Sequence, residues 1–188
     1  MEAKLKRLGD IFRQMVHNSS TFGESWKNIR LGREAFALMK SLPDILPGEY
    51  ETPRDKACLL GQMLEQMDET ATPRLCMEIR DEIERLDTGD EDNLSGMTRL
   101  RDYIDLSLPM EEYCARYGVH LKFDPVERTG VYEAVIADVE AEVAEALHDV
   151  PRGMGFCFAY WGEKQRALGR RGIQWLSPAL VNPNVMFD

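Results

Sequence analysis

The sequence has no run approaching the roughly 20 uncharged apolar residues that a membrane-spanning helix requires, so no membrane partner is expected. It also lacks the short motifs that announce common chemistries. There is no paired Cys-x-x-Cys, no His-Glu-x-x-His, no Gly-x-Ser-x-Gly and no lysine-containing phosphate loop. Gly153-Met154-Gly155 resembles a phosphate cradle only superficially, because a third glycine and a preceding strand are both missing. Histidine is scarce, with three residues at His17, His120 and His148. The four cysteines, Cys58, Cys76, Cys114 and Cys157, are widely and irregularly spaced. That pattern argues against a disulfide framework and for reduced, mostly buried thiols. Met1 to Leu8 alternates charge with leucine and lacks the apolar core of a signal peptide. The expectation is therefore a cytoplasmic chain.

Charge is present in quantity but unevenly spread. The 188 residues carry a formal charge of -10, which divides into +4 over residues 1–40, -17 over 41–150 and +3 over 151–188. An acidic middle flanked by basic ends suits solubility and intramolecular attraction, or a field that recruits a partner.

Helical signals dominate. Leu5, Leu8, Ile11, Phe12, Met15 and Val16 recur at three- and four-residue steps, predicting a helix from Glu2 to Val16 that His17–Ser20 interrupts. A second helix is expected over 24–42, with Gly32 in its middle. Pro43, Pro47 and Gly48 mark a loop. Thr52-Pro53-Arg54-Asp55 and Thr72-Pro73 both read as capped helix starts, and together predict a helical hairpin. Further helices are expected over 94–106, from Pro109 to a stop at Gly118, over 131–150 and over 155–171. Ser177-Pro178 predicts a final turn. Val119–Phe123 alternates apolar and polar residues, and Ile173–Trp175 resembles it, so one two-stranded β element pairing 119–123 with 173–176 is expected. The fold class is mainly α: a single-domain bundle of about seven or eight helices over 1–188.

Candidate sites are few. Cys114 with His120, and His148 with Cys157, are each half of a conceivable zinc or thiol site, against the plainer reading of buried thiols and helix-end histidines. Asp138, Glu142, Glu145 and Asp149 form a carboxylate row, but one helix spreads such a row along its axis instead of converging it on a cation. No metal and no cofactor is called for. The densest feature is C-terminal: six of the sixteen aromatics fall in the last 33 residues, interleaved with Lys164, Arg166, Arg170 and Arg171. Tyr160, Lys164 and Arg171 share one side of a helix, and Trp175 follows. This quartet is the candidate binding site. It could serve a protein hot spot or stack on nucleic acid, or it could simply dock the last helix on the core while its cations meet the acidic middle. The functional expectation is a non-enzymatic interaction or regulatory protein with a protein partner. The alternatives are a nucleic-acid-associated protein using the basic ends, and a small enzyme with a Cys/His or acidic pocket.

Overall fold

A computed structural model describes residues 1–47 and 51–187; Gly48 of the predicted loop and the terminal Asp188 lie outside them. Among these residues the chain is mainly helical, with nine α-helices, two short 3-10 turns and no strand. The helices are α1 Glu2–Ser20, α2 Asn28–Lys40, α3 Pro53–Glu65, α4 Pro73–Leu86, α5 Glu91–Ile104, α6 Met110–Tyr117, α7 Gly130–Ala146, α8 Phe156–Gly169 and α9 Pro178–Val181. No helix among the described residues is long and apolar enough to cross a membrane. The chain falls into two compact units, Met1–Arg101 and the part from Asp102 onward.

In the first unit the predicted stripes meet. Leu8, Ile11 and Met15 of α1 join Phe36 and Met39 of α2, Leu60 and Met63 of α3, and Cys76, Ile79 and Ile83 of α4. Each large apolar side chain buried this way is worth about 1.5–3 kcal/mol of transfer free energy. α1 runs four residues past its predicted end. Ser20 and Thr21 hydroxyls donate back to the carbonyls of Val16 and His17, at 2.8 and 2.9 Å, which holds the last turn together. Asn18, which reads as a helix breaker, is buried and donates to Asn28 Oδ1 at 2.9 Å. Asn28 in turn donates to the Met15 and Gln66 carbonyls, at 2.9 and 2.7 Å, tying the end of α1 to the segment after α3.

The two threonine-proline starts differ. The Asp55 carboxylate accepts from the Thr52 backbone N–H at 2.8 Å and from the Glu51 N–H at 2.9 Å, so the first is the expected capping box. Thr72 is fully buried and makes no cap; its hydroxyl sits against Cys76 Sγ at 3.7 Å. Gly32 does not weaken α2. It admits Met67, whose sulfur would lie 2.6 Å from any Cβ placed there.

In the second unit, α6 ends at Gly118 with φ 64°, a left-handed conformation that glycine adopts without strain. Beyond it the expected β pair is absent. Residues 119–123 form no strand, and the backbone of Lys122 among them is met by one side chain: Asn182 Oδ1 accepts from the Lys122 N–H at 2.9 Å, and Asn182 Nδ2 donates to the Lys122 carbonyl at 2.8 Å. The 173–176 segment is served likewise. The Leu176 N–H donates to Asp124 Oδ2 at 2.6 Å, and Gln165 donates to the Trp175 carbonyl at 3.1 Å. Side chains thus replace the ladder that alternation alone predicted. Arg128, 2 % exposed, closes the end of α5. Its guanidinium donates to the carbonyls of Asp102, Tyr103, Asp105 and Leu108, so an arginine distant in sequence satisfies helix-end groups that have no glycine cap.

Candidate functional site

Three members of the predicted quartet meet around one buried charge. Tyr160 and Lys164 lie one turn apart on α8 and face α7. The Lys164 ammonium donates to Glu140 Oε1 at 2.8 Å, and the Tyr160 hydroxyl lies 2.6 and 2.7 Å from the two oxygens of the same carboxylate. Lys164 Nζ also sits 5.4–5.7 Å from the ring centroids of Trp175, Tyr160 and Tyr132, so aromatic faces replace water around the cation. Trp175, 4 % exposed, donates its indole N–H to Glu127 at 2.8 Å.

The electrostatics follow from this enclosure. Burial pushes the Tyr160 hydroxyl well above its ordinary pKa; Glu140 adds to that and Lys164 opposes it. For Lys164, burial alone would favour the neutral amine, but the oxygens of Tyr160 and Glu140 outweigh it and the net displacement is upward. Burial also raises the Glu127 carboxyl, against the Trp175 hydrogen bond and the Lys164 charge. A lysine held as an ammonium offers no lone pair for nucleophilic attack. The cluster joins α7 to α8.

Arg171, the fourth predicted member, does not join it. Arg171 turns to Glu142, which Arg170 also reaches at 2.7 Å, and these two cations hold the Glu142 carboxyl down at about 2. Arg166 pairs with Glu163 at 2.5 Å. Every cation of the predicted basic-aromatic segment therefore faces a carboxylate. Sequence reading placed Glu142 in the carboxylate row along α7 and passed over Glu140, Glu127 and Tyr132. A signal for Glu140 existed: it lies four residues after Ile136 and three before Val143, both buried, which puts it on the apolar face.

The proposed thiol and zinc pairs find little support. Cys114 is buried and His120 exposed, and burial, with Glu111, pushes the Cys114 thiol up, away from a reactive thiolate. His148 is exposed beside Asp149 at 2.9 Å. Cys58 is exposed and Cys157 half-buried, so two of the four thiols are buried where mostly buried thiols were expected. No group of three or more His, Cys, Asp or Glu placed to hold a metal occurs among the described residues.

What reaches solvent is different. Phe158 and Trp161 pack edge to face with centroids 5.4 Å apart, and Trp161 packs the same way on Phe187 at 5.1 Å. Phe158 is 52 % exposed; the neighbouring Met154 and Met186 are exposed almost completely. In the first unit, α3, α4 and the start of α5 border an open groove of about 570 Å³. In comparisons with family models, curated proteins and solved structures, no match to the chain was found.

Proposed function

We propose that the protein acts by binding another protein and not by catalysing a reaction. The observation that carries this reading is the aromatic ridge of Phe158, Trp161 and Phe187, with Met154 and Met186 beside it. Trp161 and Phe187 are half-buried and Phe158, Met154 and Met186 exposed, and a cluster of apolar side chains reaching solvent is uncommon on a chain that works alone. Aromatic residues and methionine are enriched where partners dock, and charged groups are depleted there. The edge-to-face contacts hold the rings in place before binding, which reduces the ordering cost that a partner must offset. The groups able to do acid–base chemistry nearby, Glu140, Tyr160 and Lys164, are already occupied with one another. A cytoplasmic setting, where the thiols stay reduced, goes with this reading.

The test is quantitative affinity capture from the source cell with the wild-type chain and with a Phe158→Asp, Met186→Asp double variant. Met186 is almost fully exposed and Phe158 gives up only its ring contact with Trp161, so the variant should lose no more than about 1.5 kcal/mol of stability in thermal unfolding. A partner captured by wild type and lost from the variant is the expected result. Identical capture by both would refute the role of the ridge. A DNA or RNA mobility shift that weakens steeply with added salt would instead favour the nucleic-acid reading.

A further inference from the structure

The geometry points to a second docking surface, in the first unit: the groove beside α3 accepts a basic, amphipathic peptide segment of a partner protein. Its floor is apolar, formed by Ala57, Gly61 and Leu64 of α3 and Ile83 of α4. Its rim carries Glu65, Glu69, Asp87, Asp90 and Asp92, against Arg80 as the one lining cation among the described residues. Arg80 is committed to Glu69 at 2.5 Å, and Arg54 approaches Asp87 at 3.1 Å. Glu65, Asp90 and Asp92 make no ion pair among the described residues; Asp90 accepts from the Asn93 N–H at 2.7 Å through one oxygen and keeps its negative charge.

Three observations choose the occupant. The first is charge: Glu65, Asp90 and Asp92, which make no ion pair among the described residues, stand around one opening, attract a cationic ligand and repel nucleic acid. The second is spacing. No three of these acids converge as a metal site would require, so the complement is a ligand whose positive charges are spread out, as lysines and arginines are along a peptide. The third is room. A Cβ placed on Gly61 would meet nothing within 4 Å, so the floor of the groove lies open above the backbone of α3. An apolar residue of the segment can approach there, between flanking cations that reach the rim. This is the helix-in-groove mode of recognition, with acids in place of a neutral rim. The groove belongs to the first unit and the aromatic ridge to the second, and neither proposal depends on the other.

The experiment uses the full chain and a fluorescein-labelled synthetic peptide of leucine and lysine at helical spacing, with a glutamate-for-lysine peptide as control. Anisotropy should show saturable binding of the lysine peptide alone. Gly61→Leu fills the floor, and Glu65→Lys reverses the rim at the C-terminal end of α3, where a cation suits the helix dipole. Each should weaken binding about tenfold or more. Glu145→Lys on α7 makes the same change in net charge elsewhere and should leave the affinity as it was. Bound peptide should also slow alkylation of Cys58, the exposed thiol lining the groove. No saturable binding, equal weakening by Glu145→Lys, or an unprotected Cys58 would overturn the proposal. So would peptide-independent self-association that Gly61→Leu abolishes, since the groove would then take a second copy of this chain.

Discussion

Replacing Lys164 by methionine tests the reading of the α7–α8 cluster. Methionine matches lysine closely in length and helix propensity, so α8 itself should be undisturbed. What disappears is the ammonium 2.8 Å from Glu140. The side chains of the pair are 11 % and 8 % exposed, so the remaining carboxylate cannot be resolvated by water in place. Breaking such a pair from one side costs about 3–5 kcal/mol. The Tyr160 hydroxyl still donates to Glu140, which places the expectation at the low end, about 3 kcal/mol. Urea unfolding followed by tryptophan fluorescence, in a Trp26→Phe background, reads the transition seen by Trp161 and Trp175. With a slope of about 1.5 kcal/mol/M the midpoint should fall by about 2 M. Adding Glu140→Gln removes the stranded charge and keeps an acceptor for Tyr160, so the double variant should regain about 2 kcal/mol of the loss. A Lys164→Met cost below about 1 kcal/mol, or a double variant no better than the single, would refute the argument that the charges stabilise each other inside the unit.

Three further outcomes follow from the packing. Arg128→Met leaves four carbonyls near the end of α5 without their donor, and should cost about 3 kcal/mol or more in a denaturant titration. Gly32→Ala forces the end of the Met67 side chain aside; overpacking of about 1–3 kcal/mol outweighs a gain in helix propensity of about 1 kcal/mol, so the thermal midpoint should fall slightly. Glu142 is held at about 2, below its ordinary 4.5, so its stabilising effect is complete above pH 4.5 and is lost as the pH falls from there towards 2. Glu142→Gln should flatten that part of the acid-unfolding curve, as followed by circular dichroism.

Local signals in the sequence proved reliable where the structure satisfies them locally. The Thr52–Asp55 cap and the Gly118 stop involve atoms within four residues of each other, and both stand as read. The readings that failed were those that burial or a side-chain hydrogen bond decided. Thr72 looks like Thr52, but it is drawn into the core and cannot cap. His17–Ser20 looks like a break, but Asn28 and the hydroxyl back-bonds keep it helical. Residues 119–123 alternate as a strand does, yet alternation reports only which side faces inward and not what meets the backbone. Asn182, about sixty residues on, meets it with a side chain.

The same distinction governs the candidate site. Tyr160, Lys164 and Trp175 could be grouped from sequence because aromatics beside cations are conspicuous in a short window. Their partner was not conspicuous, because Glu140 sits in a helix rich in acids and only its position on the apolar face sets it apart. Segment charges of -17 and +3 suggested opposite surfaces meeting. The structure resolves that attraction into particular pairs, Lys164 with Glu140 and Arg170 and Arg171 with Glu142, inside one unit. Those pairs occupy the C-terminal cations on which the nucleic-acid alternative drew, and the docking surfaces proposed above lie elsewhere, at the ridge of Phe158 and the acid rim of Glu65. A charge pattern summed over long segments therefore indicates how a chain holds itself together before it indicates what the chain binds. What remains after the internal pairs are assigned is the better guide to a partner.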